Sequence, residues 1–233
     1  MKKIITSLFI LTSLFPLNLF AQDASVEEIV VTGIRSSDYY DTPAITFTKK
    51  ADFLVQRVKL INDSRAPDLR KTEIIDSIKN LISSASKIKG IELSYGDEFL
   101  VPVNLNDDSL ELIEDRKVTD TSFVNISIKV AIDSTKNAKS QISELKKFVS
   151  GAKLVGRTEL EETGDIGLSI VSPEKYRYQI LLLIAAENQK LKQTFGAACK
   201  IANEGLAGRV EWDRTSVDEL VLFIRHSTNV DCQ

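Results

Sequence analysis

The sequence predicts an α+β fold: largely antiparallel sheets with three helices packed on one face. Three observations predict it. Val124, Ile126, Ile128, Val130 and Ile132 alternate with Asn125, Ser127 and Lys129, the two-residue period of a strand with one apolar face. Ile74, Ile75, Ile78, Leu81, Ile82, Ala85 and Ile88 recur at three- and four-residue steps, the stripe of an amphipathic helix. Patterns of these two kinds follow one another as β-α-β, β-α-β-β, α-β-β. Helices segregated to one side of antiparallel strands bury the apolar faces of both.

Residues 1–21 read as a secretory leader. Lys2 and Lys3 are its positive start, residues 4–20 its apolar stretch, and Ala21 the small residue before the cleavage point. The alternative is an uncleaved anchor. A span takes about 20 predominantly apolar residues, however, and Pro16 and Asn18 interrupt this one. Removal of the leader leaves no later segment apolar enough for a transmembrane helix, and gives a periplasmic address with outer-membrane association open. Residues 22–43 read as an N-terminal tail or linker, because Ser36-Ser37-Asp38 and Asp41-Thr42-Pro43 are turn chemistry. The exception is the β-branched patch Ile29-Val30-Val31. Residues 44–233 are the folded body.

In that body residues 53–61 form the opening strand, with Leu54, Val58 and Leu60 in one phase. Pro67 and Asp68 start the first helix, Asp68 as candidate N-cap, and Gly90 stops it. Residues 91–103 return to strand character, bent near Gly96. The acidic stretch 104–120 is a loop or a short hairpin arm, and the alternating strand 123–132 follows it. A second helix from Asn137 turns Ala138, Ile142, Leu145, Val149 and Ala152 inward. Residues 153–160 and 166–171 read as two strands joined by a turn at Glu162-Thr163-Gly164. Ser172 caps and Pro173 opens the longest helix, with Gly205 as its stop. Its middle, residues 180–186, is apolar all round, which predicts burial on more than one side. Residues 209–212 and 219–225 are the last strands.

This order, behind a leader, resembles the SIMPL-domain family of bacterial envelope proteins. The likeness is carried by the strand 53–61 with the helix from Asp68, and by 124–132 with the helix from Asn137 and the strand 153–160. Most telling is Ile166-Gly167-Leu168-Ser169-Ile170-Val171-Ser172-Pro173-Glu174, a strand running into a long helix that ends at Gly205, or at Gly208 before Arg209-Val210-Glu211. It spans about residues 44–226. The chain departs from the family in lacking a Gly-rich phrase before the opening strand and in a helix less rich in alanine. The resemblance implies a periplasmic or outer-membrane-associated protein, sometimes a homo-oligomer, with no established catalytic residues.

Val26-Glu27-Glu28-Ile29-Val30-Val31-Thr32-Gly33-Ile34-Arg35 resembles the TonB box near the mature N-terminus of TonB-dependent receptors. Glu28, Ile29, Val30, Val31, Thr32 and Gly33 are its centre and the candidate contact to TonB, made by adding a strand to a sheet edge. A first strand of the body, or a relic of a shared leader region, is the other reading. The chain is too short for a plug and a receptor barrel. TonB, an outer-membrane receptor and a second copy of the chain are therefore the partners this sequence allows.

Composition excludes other classes. A formal net charge of −3, evenly mixed, has no basic face for nucleic acid. With 43% hydrophobic residues and 5 prolines the chain is expected to fold. Its two cysteines, Cys199 and Cys232, predict a disulfide in an oxidising compartment, tying the C-terminus to the helix carrying Cys199. His226 is the single histidine, and no Gly-x-Ser-x-Gly elbow accompanies it, so no catalytic residue is assigned. Gly151-Ala152-Lys153-Leu154-Val155-Gly156-Arg157-Thr158 mimics a phosphate-binding loop, but Arg157 stands for its lysine and the segment follows a helix. Asp107, Asp108, Glu111, Glu114 and Asp115 lack the spacing of a calcium loop. No metal and no cofactor is expected. The function expected is non-enzymatic: an envelope protein acting by binding or self-assembly, or alternatively an accessory of TonB-dependent uptake.

Overall fold

Residues 28–31, 42–96, 99–104 and 110–232 are described by a computed structural model. In chain order they form β1 (Glu28–Val31), β2 (Phe47–Lys50), β3 (Phe53–Asn62), α1 (Pro67–Ala85), β4 (Ile91–Tyr95) and β5 (Val101–Pro102). There follow β6 (Ile113–Glu114), β7 (Ser122–Ala131), α2 (Ala138–Ser150), β8 (Thr158–Val171) and α3 (Arg177–Phe195). The C-terminal elements are β9 (Lys200–Glu204), β10 (Glu211–Arg214), β11 (Glu219–Phe223) and β12 (Ser227–Asp231).

The main sheet has the order β1-β8-β3-β7-β4-β5, with β6 also on β7, and its pairings are antiparallel. Within it β3-α1-β4 and β7-α2-β8 are interleaved: β7 lies between β3 and β4, and β3 between β7 and β8. That is the ferredoxin-like split β-α-β arrangement. The reason is visible in the sequence periods. Each helix has one apolar stripe, so each must return over the sheet, and both come to rest on the same face. There Leu54, Val58, Leu60, Ile126 and Ile128 meet Ile74, Ile78, Leu81, Leu145 and Val149, all buried. Full burial of each such side chain contributes about 1.5–3 kcal/mol. The core continues through Leu220 and Leu222 of the small sheet β10-β11-β2 into Ile180 and Ile184 of α3. A two-stranded ribbon, β9 with β12, stands apart.

The fold class is α+β, with three helices and antiparallel sheets, but the helices divide. α1 and α2 cover the main sheet, whereas α3 contacts β2 and β9. Several local readings are corrected. Ala66 is the N-cap of α1, without a side-chain bond, and Asp68 sits one residue inside Pro67. α1 ends at Ala85, which leaves Ile88 outside the helix and 48% exposed. The stretch 91–103 is no bent strand; β5 folds back on β4, Ser94 opposite Pro102. No turn separates 153–160 from 166–171. β8 is a single strand along β3, and the register step between Val55/Gly167 and Arg57/Thr163 makes a bulge around Gly164, φ +69°. A left-handed glycine permits either a reversal or a bulge, and the continuous partner β3 selects the bulge. Ser172 has φ +50° and makes no cap bond; a 3-10 turn, Pro173–Tyr176, leads into α3. α3 stops at Gly196, φ +101°, not at Gly205. Cys199 therefore lies beyond the helix, at the foot of β9.

Candidate functional site: the N-terminal strand and the open helix face

Ile29-Val30-Val31 is the only β-branched patch in the segment expected to be a tail, and it does not stay outside the body. β1 adds to the edge of the main sheet, with Glu28 opposite Val171, Ile29 opposite Ile170, Val30 opposite Ser169 and Val31 opposite Leu168. Thr32 and Gly33, with the expected leader and its expected cleavage point, lie outside the described residues. The backbone of Glu28 has a second partner, since the Leu100 amide donates to its carbonyl (3.2 Å). Leu100 follows β4, so chain from the far side of the sheet reaches round to β1.

On the sheet face away from α1 and α2 the sequence alternation places Ser127 and Lys129 in solvent. Both are buried there. Lys129 Nζ lies 2.6 Å from Glu28 Oε2 and 3.2 Å from Glu92 Oε2, and 4.3 Å over the Phe53 ring. Ser169 Oγ donates to Glu28 Oε1 at 2.7 Å. Register explains the meeting: Lys129 is opposite Val55 and Glu92, and Ser169 is opposite Phe53, all on one face. A carboxylate and an ammonium removed from water together are costly to separate. β1 is thus pinned by a buried charge pair as well as by its ladder.

No family model, curated protein or solved structure matches this chain. The site is read from its own chemistry.

The remaining constellations close on structural roles. In the loop-like Gly151–Thr158 stretch, the Arg157 amide donates to Glu73 Oε2 (3.1 Å), and a Cβ on Gly156 would fall 2.0 Å from the Glu73 carboxylate. A carboxylate occupies the place a phosphate would need. Asn62, Ser64 and that amide all donate to Glu73 and hold its carboxyl below the usual range. Arg157 binds Asp63 through two nitrogens at 2.6 Å and lowers that carboxyl too. His226 Nδ1 is 2.7 Å from the Ile224 carbonyl oxygen. In the acidic stretch Glu114 accepts from Ser122 and Arg70, and Asp115 from the Lys117 and Val118 amides. Asp107 and Asp108 are outside the described residues. Among the described residues no three His, Cys, Asp or Glu side chains group to hold a metal. Cys199 and Cys232 are disulfide-bonded, closing the β9–β12 ribbon.

α3 carries a surface that sequence reasoning placed in the interior. Ile180 and Ile184 are buried, but Tyr178 is 77% and Leu182 70% exposed, and Leu183, Ala185 and Ala186 are exposed beside them. At ~100° per residue, Tyr178, Gln179, Ala185, Ala186, Gln189 and Gln193 fall within about 60° of Leu182. None is charged. The all-round apolar composition of residues 180–186 was the signal, read as double burial. For Lys129 the sequence holds no comparable signal, because its partners come from β1 and β8.

Proposed function

We propose that this is a non-enzymatic protein of the cell envelope that acts by binding, and that a second copy of itself is one of its partners. The uncharged outer face of α3 carries the reading. An isolated exposed leucine is ordinary, but a helix face with Tyr178, Leu182, Ala185 and Ala186 all in water is a surface in search of cover. The face is self-complementary. A two-fold, antiparallel pairing centred on Leu182 lays each Tyr178 against the alanine pair of the other copy, large on small. Glu187, Lys190 and Lys192 stay at the flanks. One helix face is at the low end of specific interfaces, so the association is weak and concentration-dependent. Light scattering across a concentration series tests it. Mass should rise with concentration in the parent chain and stay monomeric in Leu182→Glu. A parent that remains monomeric up to millimolar concentration refutes this partner.

A second reading, an accessory of TonB-dependent uptake, is favoured by the strand character of Glu28–Val31 itself. One edge of β1 is already used by β8, so docking to TonB through that edge requires release. Lys129→Met weakens the hold on Glu28 and should tighten binding to the TonB C-terminal domain, while Val30→Pro should abolish it. Absence of binding by the parent and by Lys129→Met alike removes this reading.

A further inference from the structure

We propose that a groove between the C-terminal ends of α1 and α2 is a binding site for a free long-chain carboxylate. The groove has a volume of ≈ 380 Å³, within the usual range of small-ligand sites, and lies on the helical side of the main sheet. Leu81, Val130 and Phe148 form its floor. Ile88, displaced from the helix stripe when α1 ends early, stands half-exposed at its rim. Such a slot, apolar below and open to water above, suits a single alkyl chain.

Charge at the rim selects the head group. Lys89 and Lys147 line the groove, both exposed, and among the described residues neither has a carboxylate within 4 Å. The acidic lining residue, Glu144, is paired with Lys136 at 3.1 Å. Lysines near helix C-termini also complement the helix dipoles, which is their ordinary structural role. Each helix end contributes only about half a negative charge. Asp133, whose carboxyl Thr135, Lys136 and Lys89 help to hold below its ordinary value, offsets part of the lysines' charge, so what the groove offers a monoanion is two ammonium groups without a direct carboxylate partner. No arginine fork or helix N-terminus is at the groove to favour a phosphate.

The test is a binding series with the full chain, below micellar concentrations, using octanoate, decanoate and dodecanoate. Affinity should rise about three- to four-fold per methylene until the slot is full. Dodecanoate should bind better than dodecanol, and dodecyltrimethylammonium worst. The double variant Lys89→Glu/Lys147→Glu should invert that head-group order without changing the chain-length dependence. Ile88→Asp, at an exposed position, and Ala152→Trp, which fills the slot, should each weaken dodecanoate binding at least ten-fold with circular dichroism unchanged. Binding that ignores chain length, ignores the charge reversal, or survives both blocking variants overturns the assignment. So does the absence of dodecanoate binding.

Discussion

Glu28→Gln is the sharpest test of how β1 is held. The substitution keeps the shape of the side chain and removes its charge, leaving Lys129 buried without its 2.6 Å partner. Removing one member of a buried pair costs about 3–5 kcal/mol when nothing replaces it. Here Glu92 remains 3.2 Å from the ammonium, but its side chain is 53% exposed and its help is diluted by water. About 2–3 kcal/mol is the expected loss. Urea unfolding of the parent, Glu28→Gln, Lys129→Met and the double variant measures it, with unchanged slopes confirming a common transition. Because the double variant leaves no stranded charge, its loss should fall about 2 kcal/mol short of the two single losses combined. A Glu28→Gln loss below about 0.5 kcal/mol, or additive losses, would mean that the pair does not hold the strand.

Other expectations concern the body. Gly164→Ala should cost about 1 kcal/mol, the penalty of a left-handed backbone alone, since nothing lies within 4 Å of the added methyl. Gly156→Ala should cost clearly more in the same urea assay, because its methyl also collides with Glu73 and disturbs the bonds from Asn62, Ser64 and Arg157. Glu73, Asp63 and Asp133 are held below their ordinary carboxyl values, so the folded state binds fewer protons than the unfolded chain. Their stabilisation should be complete above about pH 5 and decline as pH falls through the carboxylate range, and Glu73→Gln should flatten melting temperature against pH there. The Cys199–Cys232 bridge spans 33 positions, a closure of about 3–4 kcal/mol on chain-entropy grounds. Its reduction should speed amide exchange in β9 and β12 and leave β3 and β7 protected; unfolding of the main sheet as well would contradict the separateness of the ribbon.

The parts of the fold legible in the sequence are those with one buried face. The Val124-to-Val130 alternation and the Ile74-to-Leu81 stripe lie within a residue or two of where they were expected. What was not legible depended on partners remote in sequence. Gly164 marks a special backbone in either case, and only the presence of β3 along both halves of β8 decides that the chain runs on. Lys129 looks like a solvent residue until Glu28 is brought in from 101 positions away. Residues 180–186 have the composition of a double-sided core helix, yet one face has no cover among the described residues. β2, β9 and β12 were missed because strands such as Phe47–Lys50 and Ser227–Asp231 show no apolar alternation and owe their form to backbone pairing.

The place of β1 also bears on how the protein can be cut. A version begun at residue 44, where turn chemistry suggests a boundary, would strip β1 from Leu168–Val171 and leave that edge with open amides and carbonyls. Leu168, Ile170 and Val171 make the strip mostly apolar, no proline interrupts it, and it lies next to the buried centre of the sheet. Such an edge templates pairing with other chains. The short N-terminal strand then guards this edge against aggregation, and the shorter protein is expected to come out of solution at lower concentration than the longer one.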